Sequence, residues 1–185
     1  MRSLLERALA LLGLIAASPF LAGAVILIRF DSPGAAIFRQ ERVGRDRKPF
    51  TCYKLRTMAA GTKQAGTHEV SASSVTKIGR FLRATKLDEI PQLWNVVRGE
   101  MAFVGPRPCL PSQTELVQER EIRGVYGIIP GITGLGQVRG IDMSEPVRLA
   151  EIDAEYLQTR SLALDLRLAW QTVRGGGSGD RVKST

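Results

Sequence analysis

Residues 83–108 read Arg-Ala-Thr-Lys-Leu-Asp-Glu-Ile-Pro-Gln-Leu-Trp-Asn-Val-Val-Arg-Gly-Glu-Met-Ala-Phe-Val-Gly-Pro-Arg-Pro. Proline is tolerated near a helix start but not deep inside a helix, so Pro91 predicts a break around Leu87 to Ile90. That break places Asp88 and Glu89 at or near a new N-terminus, ahead of an apolar set at Ile90, Leu93, Trp94 and Val97 that stops at Gly99. Helix N-termini stabilise carboxylates and phosphates alike. The two carboxylates also lie among Arg83, Lys86, Arg98 and Arg107, a setting that suits an anionic substrate and a divalent metal. Taken alone, however, an Asp-Glu pair usually marks a solvated helix face. At the end of the stretch, Pro106 and Pro108 restrict the backbone and hold Arg107 in one direction, as a bidentate grip on phosphate requires.

Upstream, a helical pattern begins at Ser74, with Val75, Ile78, Leu82 and Thr85 on one face and a cap at Ser73 or Ser74. A basic amphipathic helix of this kind can lie among lipid head groups or turn its stripe to a core. Residues 59–73 are small and polar, a loop in which His68 is a solvated residue. Before them, alternation over Phe50, Cys52, Lys54 and Arg56 predicts a strand, paired through a Gly44–Lys48 loop with a run starting at Ile37. Lys54 and Arg56 then point the same way, towards phosphate or simply towards solvent.

Residues 8–28 carry no charge, a run of the length of a membrane-spanning helix. Three readings compete: a cleaved signal peptide, a kinked span, and a re-entrant helix broken at Ser18-Pro19. The first lacks a small-residue cleavage site. Arg2 and Arg7 before the run, and Arg29, Arg39, Arg42, Arg45 and Arg47 after it, suit a segment that enters and leaves by one face.

Downstream, residues 112–123 form a charged helix. Residues 130–140 are glycine-rich, with backbone donors free for a ligand, but lack the phosphate-loop pattern. Residues 144–158 are helical, opened by Ser144-Glu145-Pro146. Leu162 to Trp170 belong to a last apolar helix, and residues 175–185 to a flexible basic tail.

A length of 185 residues with 44% hydrophobic content allows one compact domain plus accessory segments, and a net charge of +8 asks for an anionic partner. Two separated cysteines, Cys52 and Cys109, argue against zinc and disulfide frameworks, and one histidine leaves little for histidine chemistry. The apolar run and the lack of a helix-turn-helix or aromatic-rich pattern argue against nucleic acid. A non-enzymatic basic membrane adaptor stays open on these grounds.

Lys54-Leu-Arg56-Thr-Met58, Lys86-Leu-Asp88-Glu89-Ile-Pro91-Gln92-Leu-Trp94-Asn95-Val, Gly99-Glu-Met101 and Val-Gly105-Pro106-Arg107-Pro108 resemble the motif blocks of the bacterial sugar transferases, the small monotopic phosphoglycosyl transferases. The resemblance runs from Ser18-Pro19 to about Val173. It implies an α+β, mainly helical fold: a re-entrant membrane helix over residues 1–30 broken at Ser18-Pro19, then a compact cytoplasmic catalytic domain over residues 31–174 with a short β-hairpin and amphipathic interfacial helices. It implies transfer of a sugar-1-phosphate from a UDP-sugar to undecaprenyl phosphate at the cytoplasmic face of the bacterial inner membrane, releasing UMP, as the first membrane step of glycoconjugate synthesis. Asp88 would be the nucleophile and Glu89 its helper, both of them metal-binding, with Mg2+ as cofactor. Lys54, Arg56, Arg83, Arg107, Gln137 and Arg139 would bind substrate and phosphate. The chain resembles the family's minimal catalytic form, and a homodimer is left open. It departs from the family where Asn-Gly-Arg is usual after Gln137-Val138. Here Arg139-Gly140-Ile141-Asp142 stands, with Ile141 at the arginine position and Arg139 as its nearest substitute.

Overall fold

The computed structural model describes residues 2–59, 61–62 and 74–175. Most of the loop expected over residues 59–73, with His68, and the tail after Gly175 lie outside the described residues. The chain forms two compact units, one built on residues 2–40 and 51–99, the other on residues 41–50 and 100–175.

The first unit begins with α1, Arg2–Asp31. Ala10, Ala24 and Ile28 are buried, and Gly13, Leu14, Ala17, Leu21 and Val25 are partly covered, a stripe recurring every three or four residues. Ala24 and Ile28 pack with Ala36, Leu55 and Leu82 in this unit's core. The other faces leave Leu9, Leu12, Ile15, Ile26 and Leu27 exposed. Among the described residues, this is the one helix long and apolar enough to cross a membrane.

The break expected at Ser18-Pro19 is corrected, because helical backbone runs through both residues. Pro19 lacks the N–H that would bond the carbonyl four residues back, at Ile15. The Ser18 hydroxyl donates to that same carbonyl at 2.7 Å, so the acceptor freed by proline is satisfied locally. Ser18→Ala should cost about 0.5–1.5 kcal/mol, read as a lower thermal midpoint of the detergent-solubilised chain. Ser18→Thr should retain most of the stability.

A hairpin follows, β1 (Ile37–Val43) with β2 (Pro49–Leu55), closed by a 3-10 turn at Arg45–Arg47 inside the expected Gly44–Lys48 loop. A loop this short leaves only antiparallel pairing. Helix α2 (Lys77–Ala84) is capped by Thr76, whose hydroxyl accepts from the Gly79 N–H; the cap expected at Ser73 or Ser74 is corrected. The α2 stripe turns inward: Leu82 is buried and Ile78 packs on the same core. Helix α3 (Gln92–Arg98) ends at Gly99, whose φ of 76° is a left-handed cap that favours glycine.

In the second unit β3 (Ala102–Val104) pairs in parallel with β4 (Gly131–Thr133), Ala102 opposite Gly131 and Val104 opposite Thr133. The start of the glycine-rich segment is therefore a strand and not a loop: Gly131 N–H bonds the Pro106 carbonyl and Thr133 C=O accepts from Gly105 N–H. A Cβ on Gly131 would fall 2.1 Å from Gly105 N, so this strand approach admits only glycine. Helices α4 (Thr114–Ile122), α5 (Leu135–Val138), α6 (Pro146–Thr159) and α7 (Leu162–Val173) complete the unit. Pro146 opens α6, where its missing N–H costs nothing. Val104, Leu116, Tyr126, Leu149, Tyr156 and Leu168 form the core between these elements.

Candidate active site

Asp88 and Glu89 occupy a 3-10 turn, Leu87–Glu89, between α2 and α3. The chain enters it through Lys86 at φ 58°, a left-handed conformation that costs a non-glycine residue roughly 1–2 kcal/mol. Lys86 N–H bonds Arg83 C=O and Glu89 N–H bonds Lys86 C=O, which holds that conformation in place. Strain of this kind gathers at functional sites.

The solvated-face reading of the pair fails here. Asp88 is only 7% exposed. Glu89 Oε1 lies 3.1 Å from Lys54 Nζ, with the two side chains 16% and 14% exposed respectively. Burying this much charge is unfavourable unless partners compensate, and the Lys54–Glu89 pair supplies part of that compensation.

Lys54 reaches Glu89 because of a residue that sequence reasoning passed over. Asn95, fully buried on α3, donates to Thr51 C=O at 2.7 Å and accepts from Tyr53 N–H at 3.2 Å. Its amide imitates a neighbouring strand, joining β2 to α3 and fixing the register in which Lys54 projects. A signal was present: Gln92 and Asn95 are polar groups three apart, and both fall with Val96 on the buried face of α3.

Arg83 Nε donates to Thr57 Oγ1 at 2.8 Å. Its Nη1, like Gln92 Nε2, is buried without a hydrogen-bond partner, and buried donors in that state call for a ligand or water. Arg56 has a different employment from the phosphate binding expected of it. Its guanidinium bonds Pro33 C=O at 2.7 Å, Ser32 C=O at 2.5 Å and Ile28 C=O at 3.4 Å, closing the C-terminal end of α1.

The second unit holds Arg107, half-buried between its prolines. Gln137 Nε2 donates to Ile132 C=O at 3.0 Å. Arg139 grips Glu155 bidentately at 2.5 and 2.6 Å. Ile141, at the family's arginine position, is buried in the core.

The Arg139 hydrogen bond holds the Glu155 carboxyl below its ordinary value of 4.5. A depressed carboxylate contributes stability above its unfolded pKa and loses it as pH falls through the folded value. Both side chains are nearly half exposed, so the contribution is roughly 0.2–1 kcal/mol. The difference in thermal midpoint between wild type and Glu155→Gln should therefore be small at pH 7 and shrink further as pH falls below 4.5.

Among the described residues no three His, Cys, Asp or Glu side chains gather as a metal site. Asp88 and Glu89 offer two carboxylates, a donor set that fits Mg2+, which binds through one or two carboxylates together with waters and substrate phosphates.

A buried acid at a strained turn thus sits beside an acid paired with Lys54, and in the same unit Arg83 Nη1 and Gln92 Nε2 are buried donors without a partner. The chain belongs to the bacterial sugar transferase family, which it matches over residues 1–177. It is 42% identical over 167 residues to a UDP-glucose:undecaprenyl-phosphate glucose-1-phosphate transferase of Caulobacter vibrioides, covering 84% of this chain and 62% of that protein. It is 44% identical over 126 residues to a putative undecaprenyl-phosphate N-acetylgalactosaminyl 1-phosphate transferase of Bacillus subtilis, covering 67% and 66%. With a UDP-glucose:undecaprenyl-phosphate glucose-1-phosphate transferase of Escherichia coli it shares 37% identity over 188 residues, 94% of this chain but 40% of that protein. The chain thus spans under two thirds of the length of each of these three relatives.

Proposed function

We propose that the chain transfers a sugar-1-phosphate from a UDP-sugar to undecaprenyl phosphate, in glycoconjugate synthesis at the cytoplasmic face of the bacterial inner membrane. The observation that carries the reading is the buried Asp88, set in a strained turn beside the Lys54–Glu89 pair. The names of the relatives support the substrate classes.

In this reading an Asp88 carboxylate oxygen attacks the phosphorus that bears the sugar. A new P–O bond forms, the bond from that phosphorus to the bridging oxygen breaks, and UMP leaves with the bridging oxygen and its electron pair. An oxygen of undecaprenyl phosphate then attacks the same phosphorus, and Asp88 departs as a free carboxylate. Carboxylate nucleophiles forming acyl phosphates are an established class. Glu89, paired with Lys54, orients and screens the site; Arg83 offers its free donor, and Arg107 its fork, to phosphate oxygens. Asp88 and Glu89 would hold Mg2+, which when bound offsets charge on the diphosphate.

Membrane placement rests on α1 and on exposed apolar side chains that water disfavours. In the first unit Phe30, Phe81 and Trp94 are exposed; in the second, Leu162, Leu166, Trp170 and Val173 line one face of α7. We read α1 as re-entrant through a bend and not a break: basic residues flank both of its ends, and Pro19, near its middle, lets a continuous helix bend. Accessibility labelling of cysteines placed before Arg7 and after Arg29 tests this: both should react from the same side, and labelling from opposite sides would establish a span.

The activity is tested by incubating the purified chain with a panel of UDP-sugars, polyprenyl phosphate and Mg2+ while following UMP. At least one donor should release UMP; if none does, the reading fails. The adaptor alternative requires the opposite result, with lipid binding intact and no turnover.

A further inference from the structure

The segment from Pro106 to Cys109 cannot be held as an ordinary strand, because two of its four residues are prolines without an N–H. It is held instead by its acceptors. Pro106 C=O accepts from Gly131 N–H, Arg107 C=O from Arg120 Nη1, Pro108 C=O from Arg42 Nη1 and Cys109 C=O from Val43 N–H, each at 2.9 Å. Four consecutive carbonyls are thus engaged by three separate parts of the same unit: Gly131 of β4, Arg120 of α4, and the adjacent Arg42 and Val43 of β1.

Two of the four donors are buried guanidinium groups, Arg42 at 7% exposed and Arg120 at 2%. Arg120 is fixed in turn: its Nε and Nη2 donate to Asp153 Oδ2 at 2.9 and 2.6 Å, leaving Nη1 for Arg107. Asp153 is itself buried on α6. Burying two arginines merely to fill space is unfavourable against apolar side chains of similar volume. Held this way, the backbone of Arg107 has one conformation, and its side chain is presented from a fixed base.

We propose that Arg42 and the Arg120–Asp153 pair are positioning residues for Arg107, setting the direction of its fork towards a phosphate of the donor. The proposal rests on the reading of Arg107 as a phosphate-binding residue.

The test uses the full chain in detergent and the UDP-sugar of the panel that releases UMP fastest. Arg120→Met combined with Asp153→Leu removes the donor to Arg107 without stranding a buried charge. Arg42→Gln, an independent second variant, weakens the hold on Pro108. Each should lower kcat/KM by roughly 10- to 100-fold, the scale of a misplacement of about 1 Å, while the thermal midpoint shows the chain still folded. The decisive comparison repeats both variants in an Arg107→Ala background, where each should cost less than about twofold more, because the group they position is gone. Equal losses in the two backgrounds would mean that the residues act through general stability, and would overturn the proposal. Full activity in Arg107→Ala alone would instead overturn the phosphate reading of Arg107, and the positioning role with it.

Discussion

Asp88→Asn should lower UMP release by at least about 10^3-fold while leaving the chain folded. The amide keeps the shape of the carboxylate but has no oxygen able to displace a phosphoryl leaving group. Asp88→Asn keeps the size and shape of a side chain that is buried in the fold, so the loss is expected in turnover and not in folding. Thermal midpoint and kinetics measured on the same preparation separate the two. Glu89→Gln should be less severe, since it leaves the nucleophile in place and loses only the charge beside Lys54. Near wild-type turnover in Asp88→Asn would remove the nucleophile from the account.

Asn95→Ala should have the largest effect on stability of any single change near the site, about 2–3 kcal/mol. Thr51 C=O and Tyr53 N–H lose their partner together. For a chain of this size the thermal midpoint should fall by roughly 5–10 °C. Activity should fall as well, because the register that brings Lys54 to Glu89 depends on the same amide. Asn95→Asp discriminates further. It can still accept from Tyr53 but sets a carboxylate against the Thr51 carbonyl, so it should be no better than alanine. A wild-type midpoint in either variant would show that β2 keeps its place without the amide.

The elements that punctuation and periodicity mark were legible in the sequence. Pro91 and Gly99 bound α3, Pro146 opens α6, and the alternation over Phe50 to Leu55 is a strand. Asp88 and Glu89 were visible as a pair at a helix break, and their burial was not, since burial depends on what packs over the turn. Three-residue strands leave no periodic trace, which is why β4 reads in the sequence as part of a glycine-rich loop. Arg56 looked like a strand cation because its partners are carbonyls more than 20 residues away, and no local pattern encodes them. Asn95, Arg42 and Arg120 share that property: each satisfies distant backbone groups. Ser18 is the counterpart case, a local bond to Ile15 that turns an expected break into a continuous helix.

The most direct test of a covalent route omits the acceptor. The full chain is mixed with a productive UDP-sugar and Mg2+ without polyprenyl phosphate, then analysed by intact mass and by sequencing the peptide that contains Asp88. A nucleophilic Asp88 requires one sugar-phosphate added per chain on Asp88, with UMP released in equal amount. UMP released only when polyprenyl phosphate is present, with no adduct on any residue, would mean direct transfer between the two substrates and would contradict the role given to Asp88.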